Sequence, residues 1–162
     1  MIEIKKLHHA AYRCKDSEST RVFYEEFLGL KLVKSLIIEE TKTKRKSKVL
    51  HTFYQLNDGS HIAFFEEPLC LFDFKRQHDF DLHIAFEVEF KILEKMFNKG
   101  KGLGLDTRGI IDHGFIKSVY FRDPNGYVIE LSANIKTELE AEELTARDIL
   151  NKWQNKKPQA VY

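Results

Sequence analysis

Cysteine is scarce in this chain: Cys14 and Cys70 are the only two. Two isolated thiols make neither a paired metal motif nor a disulfide framework, which fits a reducing, cytoplasmic setting. No apolar run approaches the roughly 18 residues that a membrane span needs. The opening MIEIKKLHHA has no long apolar stretch and no small-residue cleavage pattern, so neither a leader nor a membrane partner is expected. Charge of one sign is lacking as well. Lys plus Arg total 26 against 25 Asp plus Glu, and nucleic-acid binding is not expected from a chain without an electropositive footprint. Phosphate loops, dinucleotide-binding glycine patterns and Ser-His-Asp arrangements are absent too. What the 162 residues do contain is 13 Phe, 6 Tyr and 7 His, enough aromatic mass for a sizeable core and enough imidazole to raise the question of chemistry.

Hydrophobic periodicity gives the element order. Residues 4–14, IKKLHHAAYRC, read as a strand whose alternation places His9, Ala11 and Arg13 on one face and His8, Ala10, Tyr12 and Cys14 on the other. Thr20, Phe23 and Phe27 at helical spacing, with Asp16 or Ser17 as cap and Gly29 behind, predict a helix over 17–28. LKLVKSLII and VLHTFYQL follow as strands, separated by the polar run 39–48, which reads as an exposed loop. Asn57-Asp58-Gly59 is a turn signal, and HIAFFEE returns as a strand. The pattern then restarts: strand 81–88, a helix ending at Gly100, strands in KGLGLDTRGI and FIKSVYF, the turn Asp123-Pro-Asn-Gly126, and the strand YVIELSA. After it, Thr137 with Glu140 and Thr145 with Asp148 are capping-box candidates. Ala146, Ile149, Leu150 and Trp153 share a helical face expected to pack on the domain or on a partner subunit.

The two halves align. His9-Ala-Ala-Tyr-Arg matches His83-Ile-Ala-Phe-Glu, and Phe53 to Gly59 matches Tyr120 to Gly126. Such a repeat implies two structural units related by pseudo-symmetry. The expected class is α+β: two βαβββ modules forming a curved mixed-sheet cup, plus a C-terminal helix. The expected bounds are 1–68 for the first module, 69–80 for a linker, 81–134 for the second module and 135–162 for a helical extension. Within the repeat, His9 and His83 are equivalent, and Ala63 is equivalent to Glu130. Two imidazoles and one carboxylate converging on one cup make a three-ligand metal set with coordination positions left open. Such a set suits Fe(II) or Mn(II), with Zn(II) or Ni(II) also compatible. A Glu on a strand as apolar as YVIEL needs a cation or hydrogen-bond donors in any case. Arg13 or Arg122 are the alternatives to a metal. His51 and His78 have no histidine at the equivalent repeat position, and the basic run Lys42–Lys48 reads as a solvated loop.

The segments HHAAYRCKDSESTRVFYEEFLGLKLV (8–33), LNDGSHIAFFEEP (56–68), LHIAFEV (82–88) and SVYFRDPNGYVIELSA (118–133) resemble the vicinal-oxygen-chelate superfamily. That superfamily includes glyoxalases, fosfomycin-resistance thiol transferases, bleomycin-binding proteins, methylmalonyl-CoA epimerases and extradiol ring-cleaving dioxygenases. The resemblance implies paired βαβββ modules and a divalent metal on His9, His83 and Glu130. It also implies a small-molecule substrate and a homodimer, with the site formed either within one chain or between two. Glyoxalases and epimerases carry a fourth ligand, Glu or Gln, at the place held here by Ala63, which can neither ligate nor act as a base. His61, two residues earlier on the same face, is a possible substitute ligand. Two histidines and one carboxylate instead resemble the facial triad of the extradiol enzymes and the metal site of the fosfomycin transferases. On that resemblance Tyr120, ten residues before Glu130, and His113 upstream of it take catalytic roles beside the open metal position. The expected function is a divalent-metal-dependent enzyme of glyoxalase/dioxygenase type, most like an extradiol dioxygenase. A related lyase or thiol transferase and a non-catalytic, bleomycin-resistance-like binding protein are the alternatives.

Overall fold

The computed structural model describes residues 3–40, 44, 46–135 and 145–158. It has the α+β class that the repeat implies: two βαβββ modules of curved mixed sheet, followed by a helix. Strand β1 (His9–Arg13) leads into helix α1 (Ser17–Arg21). The strands β2 (Lys31–Glu40), β3 (Lys46–Gln55) and β4 (His61–Glu66) complete the first sheet in the order β1-β4-β3-β2, with β1 and β4 parallel. The second module repeats this with β5 (His83–Glu87), α2 (Phe90–Gly102), β6 (Thr107–Asp112), β7 (Ile116–Arg122) and β8 (Val128–Asn134), ordered β5-β8-β7-β6. Helix α3 (Ala146–Lys156) follows.

Asp16 caps α1 by accepting from the Ser19 amide at 2.7 Å. The helix then widens into a π-helical stretch, Val22–Phe27, where the Leu28 amide reaches back to Phe23 O at 3.0 Å. The wider turn buries Phe23, Tyr24 and Phe27 together, one aromatic more than regular helical spacing selects. The polar run 39–48 departs from expectation. β2 extends to Glu40 and β3 starts at Lys46. These strand ends lie exposed on a two-stranded edge, and backbone pairing such as Glu40 with Lys46 extends the ladder without apolar anchors.

Strand alternation gives each sheet one face packed against helices and one open face. Tyr54, Ile62 and Phe64 of the first sheet and Val119, Phe121, Ile129 and Leu131 of the second join Phe23, Tyr24, Phe27, Leu93 and Met96 in one core. The modules therefore meet through their helix-covered sides. Phe27 packs edge-to-face on Phe121 at 5.0 Å, and Lys99 Nζ donates to Phe27 O at 2.7 Å. The residues expected to line the cup sit on the outward faces.

The turn Asp123-Pro-Asn-Gly is the polar clasp between the modules. Tyr24 Oη donates to Asp123 Oδ2 at 3.1 Å, and Asn125 donates to Thr20 Oγ1 at 3.3 Å and accepts from the Lys15 amide at 2.8 Å. Burial pushes the Asp123 carboxyl above its ordinary range, partly offset by donors from Asn125, Tyr127 and Tyr24. Gly126 has φ 102°, and a Cβ there would lie 2.4 Å from Lys75 O, because the linker crosses directly over this turn.

Helix α3 has the capping box expected at Thr145 and Asp148. The other capping candidate, Thr137 with Glu140, lies outside the described residues. No residue of α3 is buried, and Ile149, Leu150 and Trp153 are exposed, so the expected packing on the domain is not present.

Phe23→Ala is expected to cost about 3–5 kcal/mol in urea denaturation, since the ring is fully enclosed by Tyr24, Phe27 and the sheet. Tyr24→Phe is expected to cost about 1–3 kcal/mol, because it leaves the buried Asp123 carboxyl one donor short.

Candidate active site

Three strands build one row across the open face of the second sheet. Arg108 on β6 is the register partner of Tyr120 on β7, and Tyr120 is the partner of Glu130 on β8. The ten-residue interval between Tyr120 and Glu130 is thus a cross-strand pair, as the turn spacing implies. His83 enters the same face from β5, where Ala85 pairs with Glu130.

Glu130 is 5% exposed on an otherwise apolar strand. Its Oε1 accepts from Tyr120 Oη at 3.1 Å and from Ser132 Oγ at 2.8 Å, with Ser118 Oγ 3.1 Å behind Ser132. Its Oε2 lies 3.3 Å from His83 Nε2. Burial alone raises this carboxyl, but donors from Ser118, Ser132 and Tyr120 and the charge of His83 outweigh it and hold the group below the usual range. The expected alternatives to a cation, Arg13 and Arg122, are engaged elsewhere. Arg13 pairs with Glu67 at 2.9 Å, and Arg122 with Asp106 at 3.2 Å.

The tautomers follow from the partners. His83 Nδ1 is 2.7 Å from Asp79 O, a carbonyl that only accepts, so Nδ1 carries a proton and Nε2 is the nitrogen that faces Glu130. That is the second support a ligating histidine requires. Tyr120 spends its one proton on Glu130, so His113 Nε2, 2.9 Å from Tyr120 Oη, is the donor to the phenol. His113, Tyr120 and Glu130 form one hydrogen-bonded chain. Burial first, then the Glu130 charge, raises the phenol of Tyr120 above its ordinary value.

The remaining predicted ligand lies elsewhere. His9 is on the outward face of the first sheet, 5.7 Å centroid to centroid from Phe53. Among the described residues, no three His, Cys, Asp or Glu side chains converge closely enough to hold an ion. The structure brings together His83, Glu130, Tyr120 and His113, and leaves His9 on the other module. Ala63 is fully buried under that face. His61 pairs in register with His9, and its Nδ1 is 3.3 Å from His8 O. The sequence places His8 on the face opposite His9. The structure corrects this: β1 begins only at His9, so alternation does not govern His8, whose Nδ1 sits 2.8 Å from His9 Nδ1.

Sequence reasoning missed two groups. One is Asp79, assigned to the linker. Its carbonyl orients His83 and its carboxylate pairs with Arg108. The linker is held there by Arg122 Nη1, which donates to Gln77 O at 2.9 Å. The other is His51, 7% exposed on the same face as His9. It stacks on Phe65 at 3.7 Å and 13° and lies 4.1 Å from Phe53. Its Nδ1–H donates to Phe64 O at 3.0 Å, which fixes the ring and leaves Nε2 as an acceptor. Burial lowers its proton affinity, so the ring is neutral at pH 7. The signal was an imidazole on an alternating strand two residues before Phe53, without a histidine in the matching repeat position.

The sequence matches the glyoxalase/bleomycin resistance protein/dioxygenase superfamily over residues 6–131, and the chain belongs to that superfamily. Solved structures with the same fold include a glyoxalase/dioxygenase from Nostoc punctiforme. It is 23% identical, covers 82% of this chain and 92% of that one, and has a TM-score of 0.63. They also include a mutant of the genomically encoded fosfomycin resistance protein FosX of Listeria monocytogenes, complexed with Mn(II) and 1S,2S-dihydroxypropylphosphonic acid. It is 22% identical, covers 83% and 95% of the two chains, and has a TM-score of 0.61. No curated protein matches the chain. No helix among the described residues is long and apolar enough to cross a membrane.

Glu130 is held below its ordinary value of 4.5, so its ionised form stabilises the metal-free fold above about pH 4.5, and this contribution is lost as pH falls through the lowered value. Glu130→Gln is therefore expected to flatten the loss of denaturant midpoint between pH 6 and pH 3.5 relative to the unsubstituted protein.

Proposed function

We propose that this protein is a divalent-metal-dependent enzyme of the extradiol-dioxygenase type, acting on a small aromatic substrate with two adjacent hydroxyls. The observation that carries this reading is the pair of walls. One holds the His83–Glu130 pair with its Tyr120–His113 chain, and the other holds His9 with the neutral, ring-locked His51. His83 Nε2 and Glu130 Oε2 are two donors of a facial set, and His9 is the third. Since the two modules meet through their helices, the set is completed by His9 of a second copy, so that a homodimer carries two equivalent sites.

Fe(II) or Mn(II) suits two imidazoles and a carboxylate. When bound, the ion would hold both substrate oxygens and lower their proton affinity. The chain's residues do the rest. His51 Nε2 accepts a proton from a substrate hydroxyl and later returns it. Tyr120 Oη, held by His113 and Glu130, orients the oxygen nearest the carboxylate. Phe80, Ile111, Phe115 and Ile116 wall an open hollow of about 480 Å³ beside His83 and Glu130, which suits an aromatic ring. Ala63, with no side-chain base, disfavours an isomerase of the glyoxalase kind.

Elemental analysis after loading with Fe(II) or Mn(II) is expected to give about one ion per chain, and His9→Ala, His83→Ala and Glu130→Gln are each expected to lose it. Refolding His9→Ala together with Glu130→Gln should restore one metal site per mixed dimer, because one site then has all three ligands. No restoration means the site does not cross between chains. Aerobic assay with catechol should show ring cleavage that is lost in His51→Ala at unchanged metal content. Metal-loaded protein that leaves catechol intact would exclude the dioxygenase reading and favour thiol transfer or binding without chemistry.

A further inference from the structure

The row across β6, β7 and β8 has opposite chemistry at its two ends. Glu130 and His83 occupy one end. Arg108 occupies the other, two strand spacings away, about 10 Å between backbones at ordinary sheet geometry. Between them lies the ring of Tyr120, with the Arg108 guanidinium carbon 4.8 Å from its centroid. All four side chains line the same hollow, in which Arg108 is the only Lys or Arg among the described residues.

Nearby cations are otherwise committed. Arg76 and Arg122 both pair with Asp106, and Lys117 with Asp112. Arg108 pairs with Asp79 through Nη2 alone, while its side chain stays 54% exposed. A guanidinium carries five donors in a planar fork, so one monodentate contact leaves most of them free. Asp79 is itself one residue from Phe80, whose ring is 94% exposed at the mouth. An exposed ion pair of this kind contributes little stability, so holding the fold together does not account for its place over Tyr120.

We propose that Arg108 is a specificity-determining residue that binds the carboxylate of the substrate, so that the preferred substrates are aromatic diols bearing an acidic group on the far side of the ring. This rests on the diol reading above. The diol edge lies at His83 and Glu130, the ring lies along the apolar wall beside Tyr120, and the carboxylate meets the guanidinium. Asp79 competes for the same donors, which makes it the counterweight that sets how strongly the anion is held.

The test is calorimetric titration of Mn(II)-loaded protein under anaerobic conditions with three probes: 3,4-dihydroxybenzoate, catechol and benzoate. In the unsubstituted protein 3,4-dihydroxybenzoate is expected to bind at least tenfold more tightly than catechol. Arg108→Met should abolish that preference with catechol affinity unchanged. Asp79→Asn, which keeps the carbonyl that orients His83, should widen it, a gain that general damage to the site does not produce. Equal affinities for the two diols, or a preference that survives Arg108→Met, would overturn the proposal while leaving the diol reading intact. Benzoate binding that depends on Arg108, with catechol silent, would uphold the anion subsite and remove the diol reading. Failure of all three probes to bind would remove both.

Discussion

The buried carboxylate of Asp123 is the constraint from which the rest of the molecule follows. It sits in the turn between β7 and β8, takes the Tyr24 phenol from the first module, and accepts the Asn125 and Tyr127 amides of its own turn. A carboxylate removed from water is costly unless its lone pairs are occupied, and here the occupying groups come from both halves of the chain. Asn125 adds Lys15 and Thr20 to the contact, and the Tyr127 hydroxyl donates to Arg13 O at 3.0 Å. These bonds hold the modules with their helices together and their other sheet faces outward. The outward placement of His9, His83 and Glu130 is thus a consequence of how one acidic side chain in a tight turn is satisfied.

Much of this was legible in the residues. Equivalence between the two repeats placed His83 and Glu130 in one site, and the interval from Tyr120 to Glu130 across Asp-Pro-Asn-Gly gave a cross-strand pair. The structure brings both pairs together because a repeated strand order and a turn length are local properties of the sequence. The length of β2 and β3 was not legible, since their exposed ends carry the polar side chains that also mark loops. His8 was misplaced because alternation was extended one residue beyond the strand. Which faces of the modules meet was hidden as well. The repeat shows that the two units are alike, and the hydrogen bonds of Asp123 to a distant helix have no signature at any fixed spacing. Asp79 escaped notice because its part in the site is played by a backbone carbonyl, which every residue possesses.

The repeat also shows division of labour. Where the second module has Glu130 and Tyr120, the first has Ala63 and Phe53, and where the first has His51, the second has Ser118. Ser118 and Ser132 supply hydrogen bonds around Glu130, while the aromatic rings of Phe53 and Phe65 clamp His51. Each module has kept the strand positions and changed the polarity around them. One wall came to stabilise a negative charge, and the other to hold an imidazole uncharged.

The outward faces carry one more consequence, for how the protein responds to its own concentration. If ligands from two copies complete each centre, ion binding and subunit association are thermodynamically linked. Dilution then empties the centres as the subunits part, and abundant metal draws the subunits together at protein concentrations where they would otherwise separate. On that arrangement the amount of chain in the solution would control activity as directly as the amount of metal. That control has its origin in the side of the sheet on which a clasp between two modules leaves the histidines.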